Sequence, residues 1–386
     1  MRTDILVIGA GAAGMAAAVS ASQAAAGRKR IAVIEKNDGP GKKIYATGNG
    51  RCNILNSSCE EAGLVRDFFR RIGLEMKEED EGRMYPMSEQ ASDVVFVLEK
   101  ALEAAGVEMI LGTPVSTIER DGEGFVVTAE KLPEKIYAGS VIIATGGKAG
   151  PMYGSTGDGY RLARSLGHHT GRLAPALTGI ETKEDVKSLK GTRAHARVSL
   201  LKKGEAIHSE EGIVQFAEYG LSGICIFDLS RYVILDDDTG FEDHEVAMDL
   251  FPDMDTEELE GLLGWRKENV QGIGAEDIVR TMVPGALAAY LTGNGGKSGQ
   301  CPDISDLARR AKDLRFTVSG MRGWKQAQVT RGGVLMEEID PDSMESRIVP
   351  GLFFAGEVMD CDGPCGGYNL YNAWLTGIRA GEAAAG

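Results

Sequence analysis

Apolar residues fall into two rhythms along this chain. Ile5-Leu6-Val7-Ile8, Ile31-Ala32-Val33-Ile34, Val141-Ile142-Ile143-Ala144 and Leu352-Phe353-Phe354-Ala355 are continuous apolar runs, the pattern of parallel strands buried on both faces. Between them the spacing lengthens to that of helices. An Ala-rich helix runs from the first strand toward Gly27, and Asp93 to Ala105 carries Val94, Val97, Leu98 and Leu102 on one face. Val107 to Leu111 reads as another parallel strand, and Ser116 to Ile118 with Phe125 to Ala129 reads as a hairpin about Asp121-Gly122. Ser155-Thr156-Gly157-Asp158-Gly159 opens a helix to Ser165 that faces Leu162, Ala163 and Leu166 inward. Strands alternating with helices predict an α/β fold.

Near Lys190 the pattern changes. Ala194 to Leu201 alternates and turns at Lys202-Lys203-Gly204, which predicts antiparallel strands. Asp255 is placed to cap a helix with Glu257 and Glu258 in its first turn. Glu276 to Leu291 reads as a helix bent at Pro284, and Leu307 to Leu314 as a third helix. Residues 190–254 are therefore expected to form an inserted β-rich domain and 255–325 an inserted helical one. The parallel-strand pattern then resumes, so 1–189 and 326–386 form one domain built from both chain ends.

Chemistry enters at the first strand end, where Gly9-Ala10-Gly11-Ala12-Ala13-Gly14 follows Ile8 without a spacer. The first glycine permits the tight turn, the second lets backbone approach a pyrophosphate, and the third lets the helix pack against the sheet. Glu35, at the end of the second strand and ~20 residues on, stands where a carboxylate accepts hydrogen bonds from an adenosine ribose. Strand, turn, helix, strand and acid fall in the order an adenine dinucleotide requires. Gly366-Gly367-Tyr368-Asn369-Leu370 opens a last helix running through Arg379. A helix N-terminus there, aimed at a flavin N1/O2 edge, stabilises the charge that gathers on reduction, which favours FAD over NAD at this site.

Other segments keep two readings. Gly39-Pro40-Gly41-Lys42-Lys43 and Thr47-Gly48-Asn49-Gly50-Arg51-Cys52-Asn53 form either a solvated loop or one in which Lys43 and Arg51 neutralise a pyrophosphate. Thr145-Gly146-Gly147, after the strand from Ser140, is either a strand-end turn or a close approach to ligand. His168 and His169 at a helix C-terminus read as dipole partners or surface residues rather than metal ligands.

Charge narrows the partners. With 42 basic and 57 acidic residues the net charge is −15, which argues against a nucleic-acid groove or an anionic membrane surface as the main partner. The first apolar run lacks a basic leader and is needed as a strand, so a cytoplasmic location is expected. The six cysteines, at 52, 59, 225, 301, 361 and 365, show no zinc or C-x-x-C spacing, so free thiols and no metal are expected. Oligomeric state is not legible.

Taken together, the motifs resemble the BaiN/YhiN-type flavoproteins, NAD(P)/FAD-dependent oxidoreductases also described as aminoacetone-oxidase-family FAD-binding enzymes. The likeness spans nearly the whole chain, through Gly9 to Gly14, Gly41-Lys42-Lys43, Gly48 to Asn53, Ala144 to Gly147, Ser155 to Gly159, Gly220-Leu221-Ser222-Gly223, Gly332-Gly333-Val334, Ala355-Gly356-Glu357 and Gly366 to Leu370. It implies a doubly wound, Rossmann-like FAD-binding domain with an inserted β-barrel-like and helical region. By motif match Gly9, Ala10, Gly11, Ala12, Ala13 and Gly14 hold the pyrophosphate and Glu35 the ribose, and Lys36 belongs to the cofactor-binding set. Lys43, Gly48, Asn49, Gly50, Arg51, Cys52 and Asn53 lie beside the cofactor. Ala144, Thr145 and Gly146 pass the adenosine, Val115 takes the adenine-contact position, and Gly356, Glu357, Gly367, Tyr368, Asn369 and Leu370 approach the ribityl chain and flavin. Cys361 and Cys365 flank the flavin side as thiols. Phe216-Ala217-Glu218 and Ile224 depart from the family's Phe-Thr-His and Pro, which alters a pocket wall.

The implied activity is reduction of a conjugated C=C in a small apolar oxo-substrate of bile-acid or steroid type, with NAD(P)H as transient donor. No second complete G-x-G-x-x-G is present for the nicotinamide nucleotide. Tyr368, Tyr219 and Glu218 qualify as proton donors by type, and no catalytic residue is assigned. An amine oxidase producing hydrogen peroxide and a flavin-binding protein without turnover are the alternatives.

Overall fold

The structure, a computed structural model, describes residues 1–122, 124–233, 240–241, 243–272, 277–293 and 303–386. The chain divides into two compact units, Met1–Pro175 with Gln328–Gly386, and Ala176–Ala327.

The first unit is built on a seven-stranded sheet. Glu108–Ile110, Ile31–Ile34, Arg2–Ile8 and Ile136–Ile143 lie side by side in parallel, and Leu352–Phe354 adds in parallel to the last of these. The hairpin Val115–Asp121/Gly124–Ala129 completes the sheet. Register decides what this sheet can do. Ile8 pairs with Ile34 and Ile143, Ile34 with Ile110, and Ile143 with Phe354. Every parallel strand therefore ends on one edge, and the loops at 9–14, 35–43, 144–147 and 355–357 leave from it, the edge where doubly wound sheets bind ligands.

Two helices hold the chain ends together over this sheet. Ala12–Ala25 is buried along nearly its whole length, because its alanines leave no bulk on either side. The helix Tyr368–Ala385 lies against it almost backbone to backbone. An added Cβ on Gly377 would stand 2.4 Å from the Ala13 carbonyl oxygen, and one on Gly381 2.2 Å from that of Ala17. Trp374 is buried beside them, donating its indole N–H to the Ile54 carbonyl at 3.1 Å. A small antiparallel sheet of Leu55–Asn56, Arg83–Pro86 and Met76–Glu78 has no counterpart in the sequence reading. Its strands are too short for alternation to register.

The second unit is a closed six-stranded barrel of Ile180–Thr182, Gly220–Ser222, Glu205–Ala217, Arg193–Lys202, His244–Asp249 and Leu314–Met321. Its inner face follows the alternation Ala194, Ala196, Val198, Leu200. Both expected boundaries shift. The unit begins at Ala176 rather than 190, because Ile180–Thr182 bonds to two barrel strands. No division falls at 254, since Leu314–Met321 returns to the barrel after the helices. Phe216 and Phe316 of the strands share one core with Leu259, Leu287 and Leu307 of the helices. Asp255 caps Thr256–Asn269 in a complete capping box with Glu258. Glu276 lies outside the described residues, and 277–284 are not α-helical. The helix is Gly285–Leu291, with Pro284 as its N-cap, because a proline clashes inside a helix but suits its start.

His168 corrects another expectation. It is 3% exposed, with Nδ1 3.0 Å from Glu338 Oε2 and Nε2 2.8 Å from Ser346 Oγ. Ser, His and Glu stand at the spacing of a hydrolase triad, yet Ser346 is buried and its oxygen also accepts the Ile348 and Val349 N–H groups. The group is a structural tie. Neutral His168 donates through Nδ1 and accepts from Ser346, whereas protonation would put a second N–H against an oxygen already taken. Burial lowers the His168 pKa from its usual 6.5, outweighing the Glu338 carboxylate. For Glu338, burial raises the carboxyl but hydrogen bonds from the His169 backbone and both imidazoles bring it below its usual 4.5. Both folded-state pKa values are depressed, so both contributions are present at neutral pH and lost as pH falls. Stability should decline from pH 6.5 downward as His168 protonates. Urea melts across pH 7 to 5 should show this slope in the wild type and a flatter one in His168→Gln, and equal slopes would remove the assignment.

Candidate active site

The edge loops form a cradle that glycine shapes in three different ways. Gly9 has φ +104°, and a Cβ on it would stand 2.5 Å from the Ala144 carbonyl oxygen. On Gly14 a Cβ would lie 1.8 Å from the Gly9 carbonyl oxygen, whereas on Gly11 it would meet nothing within 4 Å. Two of the three glycines are thus required by the protein's own packing, and the third leaves open space at the start of Ala12–Ala25. Gly11 is the N-cap of that helix and supplies no side-chain hydrogen bond to it. Gly367 caps Tyr368–Ala385 in the same uncapped way. Both helices therefore present first-turn N–H groups without a side-chain cap, the arrangement that receives anionic groups.

Glu35, 8% exposed, closes the turn from the side. Its Oε2 accepts the Ala10 N–H at 2.7 Å and its Oε1 the Asn37 N–H at 2.8 Å. Each oxygen keeps a lone pair, so the carboxylate can still accept two ribose hydroxyls. Lys36 is engaged by Asp158 and Thr156. Val115 opens its hairpin strand with its carbonyl accepting from Arg161 at 3.2 Å. Ala144 extends the sheet by donating to the Ile8 carbonyl at 2.9 Å, and Gly146 follows at φ +69°.

The two bases nominated for a pyrophosphate have other partners. Lys43 pairs with Glu357 at 2.8 Å. Arg51 pairs with Glu79 and Glu89 and lies 4.0 Å over the Tyr85 ring. Around it the chain bends sharply. Gly48, Asn49, Gly50 and Cys52 have φ of 56°, 55°, 85° and 59°. Two non-glycine residues in this region cost on the order of 1–3 kcal/mol each and persist only where surroundings over-determine them. The turn buries Cys52, whose thiol burial pushes up to about 12, and brings Asn53 inside at 9% exposure.

Asn53 Oδ1 and Thr145 Oγ1 are buried with no hydrogen-bond partner among the described residues. Thr145 Oγ1 lies against Gly159, where an added Cβ would come within 2.0 Å. An orphaned buried acceptor costs about 1–3 kcal/mol, so a ligand hydroxyl or N–H at Asn53 repays a standing penalty.

At the last helix Tyr368 is held by a directional chain. Asn56 donates through Nδ2 to the carbonyls of Glu81 at 2.9 Å and Gly366 at 3.1 Å, so its Oδ1 faces Ser58 and accepts from Oγ at 2.7 Å. The exposed Ser58 hydroxyl, its proton committed, accepts from the Tyr368 phenol at 2.9 Å. Asn369 grips the preceding loop, accepting from Gly363 N–H at 2.8 Å and donating to the Gly363 and Pro364 carbonyls. Leu370 is half-buried and Gly356 buried. Cys361 and Cys365 are thiols not joined in a disulfide, and packing around the Cys361 sulfur pushes its thiol up to about 12. Tyr219 and Glu218 belong to the barrel unit. Glu218 is exposed and paired with Lys190, and Tyr219 lies over Gly179 with the Arg322 guanidinium 4.7 Å from its ring. Ile224 is exposed at the start of Ile224–Ser230.

Open space at Gly11, two uncapped helix starts, a ribose-competent Glu35 and the orphaned Asn53 oxygen fit a flavin adenine dinucleotide. The model for the HI0933-like protein Rossmann domain matches residues 61–383, and that for a NAD(P)-binding Rossmann-like domain matches 7–54. The chain belongs to the HI0933-like family. Members of this family are FAD-dependent oxidoreductases of the BaiN/YhiN type, and this chain is one of them. A relative from Clostridium scindens named 3-dehydro-bile acid delta(4,6)-reductase is 33% identical over 98% of this chain and 98% of its own length. One from Escherichia coli named ribosomal RNA dihydrouridine synthase is 29% identical over 97% of this chain and 96% of its own. The fold matches 3-ketosteroid delta1-dehydrogenase from Sterolibacterium denitrificans with a TM-score of 0.56 and 13% identity, covering 100% of this chain and 99% of that one. Among the described residues no helix is long and apolar enough to cross a membrane.

Proposed function

We propose that this HI0933-like protein is an NAD(P)H-linked reductase that saturates a C=C conjugated to a carbonyl, in a compact, largely apolar oxo-substrate of bile-acid or steroid type. One observation carries the reading: the 33% identity, across 98% of both chains, to the relative named as a bile-acid delta(4,6)-reductase. Bound FAD supplies the hydride. The uncapped N–H groups after Gly11 hold its pyrophosphate, Glu35 its ribose, and Asn53 Oδ1 accepts from it. The N-terminus of Tyr368–Ala385 would stabilise the negative charge that the flavin gathers on reduction. Hydride delivered to the β-carbon leaves an enolate, whose α-carbon needs a proton. Of the three donors nominated by type, Tyr368 is the one in the FAD-binding unit, with its phenol held by the exposed Ser58 hydroxyl. With no second dinucleotide motif, the nicotinamide docks transiently.

A second reading takes its support from the Escherichia coli relative. Its printed name also describes saturation of a C=C conjugated to a carbonyl, in a uridine base. The reaction class is shared and the substrate differs. A net charge of −15 favours the small molecule.

An anaerobic titration with NADH and then NADPH, followed by visible absorbance, tests the donor. Stoichiometric bleaching is expected, with colour returning on addition of a 3-oxo-4-ene steroid. Tyr368→Phe should bleach normally but regain colour roughly 100-fold more slowly, the scale of general-acid catalysis. Flavin that stays oxidised rejects NAD(P)H as donor, and peroxide formed from amines under oxygen would establish the oxidase instead. Salt-sensitive binding of ribosomal RNA, with no response to the steroid, would move the substrate to RNA.

A further inference from the structure

We infer that Lys43 and Glu357 act on the cofactor as one unit, a strut between the edge loops, and not as two separate ligands of it. Glu357 stands on the loop after Leu352–Phe354. Its Oε2 accepts from Lys43 Nζ at 2.8 Å, on the loop after Ile31–Ile34, and its Oε1 accepts the Thr330 N–H at 2.8 Å. Lys43 also donates to the Ala149 carbonyl at 3.1 Å, beyond the loop after Ile136–Ile143. Thr330 Oγ1 closes the circuit by accepting the N–H groups of Lys148 at 2.7 Å and Ala149 at 3.0 Å. The circuit thus joins two of the loops that leave the sheet edge, the chain just beyond a third, and the segment at Thr330. The fit is close, because a Cβ on Gly147 would stand 2.3 Å from Thr330 Oγ1 and 2.5 Å from Glu357 Oε1. With side chains 28% and 21% exposed, the pair keeps enough water to survive loss of either partner, and it is sheltered enough to hold a geometry.

The strut has a sign that charge alone does not. FAD carries a negatively charged pyrophosphate, so a purely electrostatic role predicts opposite effects: Lys43→Met weakens binding, and Glu357→Gln frees Lys43 and tightens it. A strut predicts that both weaken it, because either change releases the same loops. Separate ligands predict that the two losses multiply, whereas members of one unit show strong coupling.

The test is a double-mutant cycle on FAD affinity, measured by reconstituting flavin-stripped protein and following quenching of flavin fluorescence. Lys43→Met and Glu357→Gln should each raise the Kd about 10-fold, and the double variant should lie within about 3-fold of either single one, the coupling expected of contacting residues. Hydrogen exchange at the Lys148, Ala149 and Thr330 amides of the apo-protein should quicken in both singles, a readout that needs no cofactor. A tighter or unchanged Kd in Glu357→Gln, a double variant near 100-fold, or unaltered exchange overturns the strut. Failure of the wild type to bind FAD would overturn the cofactor assignment itself, and the strut with it.

Discussion

Replacing Gly11 by Asp should make the apo-protein no less stable while abolishing its hold on FAD. The two effects separate because Gly11 is the one glycine of its motif that the protein's own packing does not need. A Cβ there meets nothing within 4 Å, and the residue has φ −82° and ψ −167°, ordinary extended backbone. It is also an N-cap without a side-chain hydrogen bond, on a helix with no acidic residue in its first turn. Aspartate is among the best residues at that position, and its charge suits the dipole, so the apo-protein should gain up to about 1 kcal/mol. The same side chain and charge fill the space proposed for the pyrophosphate, and at least 100-fold weaker binding, about 2.7 kcal/mol, is expected. Gly14→Ala should behave in the opposite way. Its Cβ would lie 1.8 Å from a carbonyl oxygen, and overpacking of this kind costs about 1–3 kcal/mol, occasionally more. Thermal melts of flavin-stripped protein, paired with FAD titrations, separate the two. Gly11→Asp protein that keeps wild-type affinity would put the pyrophosphate elsewhere.

What could be read in advance follows from how each feature is written in the chain. A strand buried on both faces must be apolar throughout, so the runs ending at Ile8, Ile34, Ile143 and Phe354 were visible one by one, and their shared edge follows from parallel pairing. The barrel was legible only where a strand was long enough to alternate, as in Arg193–Lys202. Ile180–Thr182 and Gly220–Ser222, three residues each, carry no period, which is why the boundary at 190 came too late. Pro284 was legible as a break but not as a start, since the same ring geometry serves both. The site divides along similar lines. Glycines with a fixed spacing announce a dinucleotide turn. Asn49 and Cys52 do not announce their left-handed backbone, because nothing in either side chain demands it. Lys43 is legible as a cation, in a loop that reads equally as solvated or as neutralising a pyrophosphate. Its partner lies 314 positions away, and only the sheet register brings the two loops together. Similarly His168 looked exposed until the chain around Glu338 and Ser346 returned over it.

The crossing of the two long helices makes the second large prediction, and its sign is opposite to that of helix propensity. Gly377 and Gly381 lie inside Tyr368–Ala385, where replacing glycine by alanine ordinarily gains about 1 kcal/mol. Here each new methyl would be driven into a backbone carbonyl, 2.4 Å from Ala13 oxygen and 2.2 Å from Ala17 oxygen. Neither partner can rotate away, since both are main chain, so the helices must separate. That displacement strips contacts from the buried alanines of Ala12–Ala25 and from Trp374, and overpacking costs of about 1–3 kcal/mol exceed the propensity gain. Each single alanine should therefore lower stability by about 1–2 kcal/mol in urea melts. The double variant should lose less than the sum, because one separation relieves both clashes. The loss should also appear as weaker FAD binding, since the N-termini of these two helices, neither with a side-chain cap, are the ones proposed to receive the cofactor. Alanine at Gly381 that raised the urea midpoint would show that propensity prevails and that the helices can part without cost.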